Sequence, residues 1–254
     1  MKKISGRVRG PFGVLLKIAI GLVGGFFALY VFASWRYSIG CSNTVRATCK
    51  DHLLAGCAFD GVYSVDFGKG KTYRAFCDMT TEFGGWMMVL NYIHKAKAPK
   101  ATLAVMSDRF PFRTGASLGD DESRSENSWG HLSPELLNEV PFTEMRFFCR
   151  TSSHDRNLNF KITAEGCLKY FKTGKGSCAD ALTKVIPLAG HNGLLFNDRT
   201  LQAGKDNGSG ALTNHTFYVA WRYHWNVGTE PGRWECDDMA VDKSFDTDHE
   251  VYVR

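Results

Sequence analysis

The amino-acid sequence predicts an α+β domain in which strand dominates, stapled by disulfides and preceded by one N-terminal transmembrane helix. Three observations carry this. Apolar segments beyond residue 48 are short and separated by glycine or polar turns. All eight cysteines follow an uncharged apolar run near the N-terminus. That run is long enough to cross a bilayer core.

From Ile18 to Trp35 the chain runs 18 residues without a charge, extending back over Lys17 through Val14, Leu15 and Leu16. Lys17 sits where its stem can snorkel to the headgroups. A buried core helix alternates apolar and polar faces, whereas this segment is apolar all round. Lys2, Lys3, Arg7, Arg9, Lys17 and Arg36 fall in the first 36 residues, where no acid occurs. That asymmetry reads residues 1–13 as a basic cytosolic N-terminus, 14–35 as a signal anchor and all that follows as exported, a single-pass type II topology. A cleaved signal peptide is the competing reading, since Val31-Phe32-Ala33 has the spacing signal peptidase requires. The run is, however, longer than a signal core of about 7–15 residues. Either way residues 36–254 leave the cytosol, for the cell surface or, after cleavage, an extracellular matrix.

Of the 31 Lys and Arg side chains, 25 remain beyond Arg36, against 26 acids. The net charge of +5 therefore belongs to the N-terminus, and nucleic acid is excluded as a partner because binding it needs cations clustered on the folded surface. A hydrophobic content of 44% with 13% aromatics builds a packed core and excludes disorder throughout. The even cysteine count, without a CxxC, reads as structural disulfides rather than a zinc site. Asn207-Gly208-Ser209 and Asn214-His215-Thr216 are glycosylation sequons in one polar stretch, which makes Asn207 and Asn214 candidate acceptors.

Residues 36–48 form a juxtamembrane stalk and 49–254 one domain, with no linker or repeat dividing it. Its expected strands cover 61–65, 72–77, 86–92, 145–149, 158–163, 217–225 and 251–253. The clearest helix signal is Ser133-Pro134-Glu135, an N-cap serine with proline at the first helical position, running on through Leu136, Leu137 and Val140. Stretches 115–128 and 202–216 are polar and glycine-rich, hence loops, where binding residues tend to lie.

The segment Cys57-Ala58-Phe59-Asp60-Gly61-Val62-Tyr63 leads into Thr72-Tyr73-Arg74-Ala75-Phe76-Cys77-Asp78-Met79, then Gly84-Gly85-Trp86. This closely resembles the opening of fibrinogen C-terminal domains, with a G-x-Y strand, a C-D-M turn and G-G-W entering the next strand. The Ala-Phe-Asp-Gly wording is nearest to intelectins. The glycine pair permits the positive φ angles of a tight turn, and Trp86 plugs the core. At the far end, Gly232-Arg233-Trp234-Glu235-Cys236-Asp237-Asp238 and the terminal Val251-Tyr252-Val253-Arg254 are similar to the ending of fibrinogen-like chains. Phe142 to Cys149 looks like fibrinogen-related proteins of invertebrate extracellular and skeletal matrices.

The resemblance implies that Cys49 pairs with Cys77, and Cys57 with Cys236. Cys167 and Cys178 lie 11 apart across a Gly-Lys-Gly loop and form a third candidate bridge. That leaves Cys41 and Cys149: Cys41, in the stalk, is a candidate for an interchain bond giving a disulfide-linked homo-oligomer, or for an intrachain bond to Cys149.

Catalytic motifs are weak. Gly115-Ala116-Ser117-Leu118-Gly119 matches G-x-S-x-G, but Arg109-Phe110-Pro111-Phe112-Arg113 before it is no ordinary strand and the acidic run after it has no helical stripe. Gly70-Lys71-Thr72 lacks the first glycine of a phosphate loop, with Val65 in its place. The expectation is therefore no enzyme. Calcium is the cofactor the resemblance implies, and only Asp237, Asp238, Asp246, Asp248 and Glu250 offer clustered oxygens for it. Asp246, Asp248 and Glu250 are spaced by two and share a face of an extended segment, either as a calcium site or as a solvated acidic edge. Of Trp221, Tyr223, Trp225 and Trp234, at most two are expected to be exposed for a sugar pocket, and the paired histidines of the intelectin sugar site are absent. The function expected is non-catalytic extracellular recognition, calcium-assisted, of a glycan or matrix protein. The alternative is a structural component of an extracellular, even skeletal, organic matrix.

Overall fold

A computed structural model describes residues 41, 43–98, 104–175, 178, 185–193, 211–213, 216–219, 223–229, 233–238 and 245–254. The basic N-terminus, the apolar segment 14–35, the stalk as far as Gly40, both sequon asparagines and Trp221 lie outside the described residues. Among the described residues no helix is long and apolar enough to cross a membrane. The chain divides into two compact units, Met1–Asn43 and Thr44–Arg254, and the fold below belongs to the second.

In chain order the elements are β1 (Val45–Arg46), α1 (Cys49–Leu54), β2 (Gly61–Val65), β3 (Tyr73–Asp78), β4 (Trp86–His94), β5 (Met106–Ser107), β6 (Gly130–Leu132), α2 (Pro134–Glu139), β7 (Met145–Thr151), β8 (Asn157–Ile162), α3 (Glu165–Thr173), β9 (Val185–Pro187), β10 (Phe217–Val219), β11 (Tyr223–Thr229), β12 (Arg233–Cys236) and β13 (Thr247–Val253). The main sheet runs β1-β2-β3-β4-β13-β7-β8-β9, with β6 on β4 and β5 on β6; β10-β11-β12 form a second, antiparallel sheet. The expected strand over 217–225 is thus part of a hairpin, and Val45–Arg46, placed in the stalk by sequence, pairs with β2. Helix α2 starts where expected, with the Ser133 Oγ accepting the Leu136 N–H at 3.3 Å.

Strand β13 is central, antiparallel to β4 on one side and β7 on the other, and every residue in it is buried. Its two faces differ in chemistry. On one, His249 and Val251 meet an aromatic layer: Phe147 stacks on Phe160 at 5.4 Å and receives Phe217 and Trp225 edge-on, while Trp225 stands edge-on to His249 at 4.9 Å. On the other lie Asp248, Glu250 and Tyr252.

Strand β4 splits its edge between two neighbours. Its start pairs with β3 only through Cys77↔Met87 and Asp78↔Trp86, and further along Leu90 and Asn91 pair with β6. Strands β3 and β6 thus part company, and Phe76, Trp86, Met88 and Tyr252, with Val62 and Phe112 against them, fill the depth of the fork. The Gly84-Gly85 turn that launches β4 has φ of 70° and 77°. A Cβ on Gly84 would lie 2.1 Å from the Met79 carbonyl oxygen, so that position admits only glycine. The side chain of Arg254 locks the turn, donating to the Glu82 and Gly84 carbonyls at 2.8 and 2.9 Å and lying over Trp86 at 4.2 Å.

The structure bonds Cys49 to Cys77 and Cys167 to Cys178. It corrects the expected Cys57–Cys236 bond: Cys236 pairs with Cys149. The reason lies in the register, because Cys149 sits opposite His249 on the face of β7 that the second sheet covers, and β12 delivers Cys236 onto that face. Cys41 and Cys57 are each disulfide-bonded and no cysteine is free, so the structure offers neither a Cys41–Cys149 bond nor a spare thiol for an interchain bridge.

Candidate functional site

At the mouth of the fork, a cleft of about 450 Å³ opens between the start of β3 and the segment 108–127. The segment Phe110-Pro111-Phe112 straddles β3. Phe110 meets Tyr73 edge-on at 5.7 Å, Phe112 lies beneath Arg74 at 5.6 Å, and Tyr73 and Arg74 point to opposite faces of the strand. Phe67 stacks on Tyr73 at 5.6 Å and extends the aromatic floor. The clasp is held from behind, where the Phe112 N–H donates to Asn127 O at 2.8 Å. It also shields a strand edge that lacks a β4 partner from Tyr73 to Phe76, the position where an unguarded edge invites aggregation.

Lys71, Arg74 and Arg109 line the cleft, all exposed. Lys71 lies 4.8 Å above the Tyr73 ring. Among the described residues none of the three cations is in an ion pair. Asp108 and Glu126 line the same cleft. A second hollow of about 450 Å³ adjoins it, sharing Asp108, Arg109 and Glu126 and adding Arg124 and Met106.

Behind the fork lies the charged face of β13. Asp248 pairs with Arg150 at 2.9 Å and Glu250 with Arg113 at 3.5 Å, both carboxylates almost wholly buried. The Tyr252 hydroxyl donates to Glu250 at 2.5 Å, and the Arg146 guanidinium lies over the Tyr252 ring at 3.9 Å while bonding Asp78 at 2.8 Å. Burial and the neighbouring Glu250 push the Asp248 carboxyl up, and Arg150 only partly counters them. For Asp78, burial pushes upward, but Arg146 and the Thr81 hydrogen bonds outweigh it and hold the carboxyl at about 2.

The five carboxylates expected to ligate calcium are placed as follows. Asp248 and Glu250 share a face, as their spacing requires, but arginines occupy them. Asp237 is buried against Arg156 at 2.6 Å; Asp238 accepts from the Ser153 hydroxyl at 2.7 Å; Asp246 accepts the Ala96 N–H at 2.6 Å. Among the described residues no group of three or more His, Cys, Asp or Glu is arranged to hold a metal ion. Arginines thus hold three of the five, Asp237, Asp248 and Glu250, and among the described residues the five do not converge as one ligand set. Nor is β13 a solvated edge, because it is the buried centre of the sheet. Trp225 and Trp234 are core residues, so neither serves a sugar pocket.

Ser117 of the G-x-S-x-G match sits in a tight loop, its N–H donating to Asp120 at 2.6 Å, with neither strand before it nor helix after it. Its surroundings are not a nucleophile elbow.

No protein-family profile matches the chain. Solved structures do. The chain is similar to the fibrinogen-like globe domain of human ANGPTL6 at 12% identity, covering 82% of this chain and 94% of that one with a TM-score of 0.39. The corresponding values for the fibrinogen-like globe domain of human ANGPTL2 are 13%, 82%, 97% and 0.40. Lamprey fibrin D-dimer, solved with the peptide ligand Gly-His-Arg-Pro-amide, is similar at 13% identity over 95% of this chain and 89% of that one, with a TM-score of 0.40. The likeness is to fibrinogen-type structures.

The sequence marks loop 115–128, which supplies Arg124, Glu126 and Asn127 to the two hollows, as a place for binding residues, but every binding residue named from it lay in the last third of the chain and none lines the cleft. A signal was present in the alternation of cations and aromatics, Lys71-Thr72-Tyr73-Arg74 and Arg109-Phe110-Pro111-Phe112-Arg113. Only the fold brings these two runs together.

Proposed function

We propose that the chain is an exported, non-catalytic recognition module of the fibrinogen-like kind, and that it engages its ligand through the cleft between β3 and the segment 108–127. The observation that carries this is a concave surface lined by aromatics and by three cations that, among the described residues, are in no ion pair. Exposed like charges destabilise a fold slightly by mutual repulsion, and aromatics with arginine are the residue types from which binding hot spots are built. The motif resemblance and the cysteine usage support display outside the cytosol. Calcium has no step in this reading, and glycans enter it only as competitors of a protein ligand.

The test takes the full-length chain, oxidised and held in detergent micelles, as bait against a random peptide display library and a glycan array. Expected are ligands whose retention is lost in the Arg74→Ala/Arg109→Ala double variant. Silence in both formats, with the chain depositing in an insoluble matrix, overturns recognition in favour of a structural matrix role.

A further inference from the structure

We infer that the ligand of this cleft is an acidic peptide segment with apolar or aromatic residues between its carboxylates. The inference rests on the recognition reading above and names its partner class.

Charge decides the sign. Lys71, Arg74 and Arg109 line the hollow and, among the described residues, are in no ion pair, and Arg124 continues the series into the adjoining hollow. A carboxylate reaching an arginine there gains a charge-assisted, bidentate contact without first breaking an existing ion pair. The floor decides the rest of the ligand. Tyr73 and Phe112, both partly exposed, offer apolar area beside Lys71 and Arg74, which suits side chains alternating between carboxylate and hydrocarbon.

Shape and mixed charge separate a peptide from the other anions found outside cells. Two hollows of about 450 Å³ each, joined along Asp108, Arg109 and Glu126, form a run longer than one small anion fills. A sulfated polysaccharide presents negative charge at every step, and Asp108 and Glu126 would repel it at short range where screening is least effective. A peptide places its carboxylates at the arginines and keeps them away from the two acids. Lys71 and Arg74 lie over aromatic rings, which holds their charges in place for the incoming group.

The probe is a fluorescein-labelled Glu-Phe-Glu-Val-Glu-Phe-Glu peptide with blocked ends, read by fluorescence polarisation against the oxidised full-length chain. Its lysine counterpart and a heparin-derived oligosaccharide serve as comparators. Expected is saturable binding of the acidic peptide, weakened roughly tenfold by either Arg74→Ala or Arg109→Ala, as for loss of one charge-assisted contact. Asp108→Asn/Glu126→Gln should tighten it. All four side chains are exposed, so an unchanged melting temperature separates lost contact from lost fold. Absence of acidic-peptide binding, indifference to the arginine variants, or equal or better binding of the oligosaccharide overturns the inference. Preferential binding of the lysine peptide, lost in Asp108→Asn/Glu126→Gln, overturns the acidic class while leaving the cleft in use. A library-selected ligand indifferent to every cleft variant overturns the cleft itself.

Discussion

Arg146 is almost fully buried, and its guanidinium is held on three sides by the Asp78 carboxylate, the Tyr252 ring and, at 5.5 Å, the Trp86 ring. Removing the cation leaves a buried carboxylate without its countercharge, which is far more damaging than the net worth of the pair. Arg146→Met is expected to destabilise by about 3–5 kcal/mol in urea unfolding. Adding Asp78→Asn should recover much of that loss, since asparagine needs no countercharge and its Oδ1 still accepts the Thr80 and Thr81 N–H groups. A double variant no more stable than the single one would show that Arg146 acts through packing alone. Sequence reasoning gave Asp78 a turn role, which these hydrogen bonds show. It gave no hint of the ion pair, because Arg146 stands 68 positions away on another strand.

At the scale of elements, legibility followed the local signal. Strands bounded by turn chemistry, such as β2, β3 and β4, were found close to their observed limits, and so was the start of α2. Helix α3 was missed although Gly174, with φ 65°, closes it as a left-handed C-cap. Its N-cap residue is Ala164, which supplies no side-chain bond, so the start carried no mark. The N-terminal half of β13 admits two readings from sequence, a calcium site or a solvated acidic edge, because Asp248 and Glu250 carry no sign there of their burial. Only the arginines of other elements make their burial tolerable. The G-G-W turn was legible because its constraint is local and steric, and that makes it testable. Gly84→Ala meets both a positive φ and the Met79 carbonyl oxygen, whereas Gly68, with φ 82°, has nothing within 4 Å of its would-be Cβ. Gly68→Ala should therefore show only the backbone penalty, about 1 kcal/mol. Gly84→Ala should lose about 3 kcal/mol or more, or fail to accumulate folded. Equal effects in thermal melts would mean that the turn relaxes at no cost.

For the molecule as a whole, the disulfides and the buried histidines set how stability responds to conditions. In the chain-entropy view the Cys149–Cys236 bond, closing 87 residues, contributes at most about 4.6 kcal/mol against about 2.8 for the 11-residue Cys167–Cys178 loop. The larger of these ties the main sheet to the second one, a partnership sequence did not reveal because it depends on which face of β7 the hairpin covers. That same covered face holds His249 and His94, the latter stacked flat on Trp234 at 4.4 Å, with His131 beside Tyr92. Burial holds all three imidazoles at about 4, below the ordinary value of 6.5, so they are neutral in the fold. Their contribution to stability is complete above about pH 6.5 and is lost as pH falls towards 4, because the unfolded chain takes up protons first. Asp248 works the other way. Its raised carboxyl favours the fold most at low pH, and that contribution fades as pH rises from the ordinary carboxylate range. Three histidines against one aspartate give a melting temperature that drops between pH 7 and pH 5. His94→Phe should flatten that slope by removing one of the three protonations, and should not weaken the fold at neutral pH, since among the described residues neither ring nitrogen of His94 has a hydrogen-bond partner to lose. A melting temperature that is flat or rising on acidification would mean that these imidazoles find water when they charge, and that the layer between the two sheets opens more readily than its packing implies.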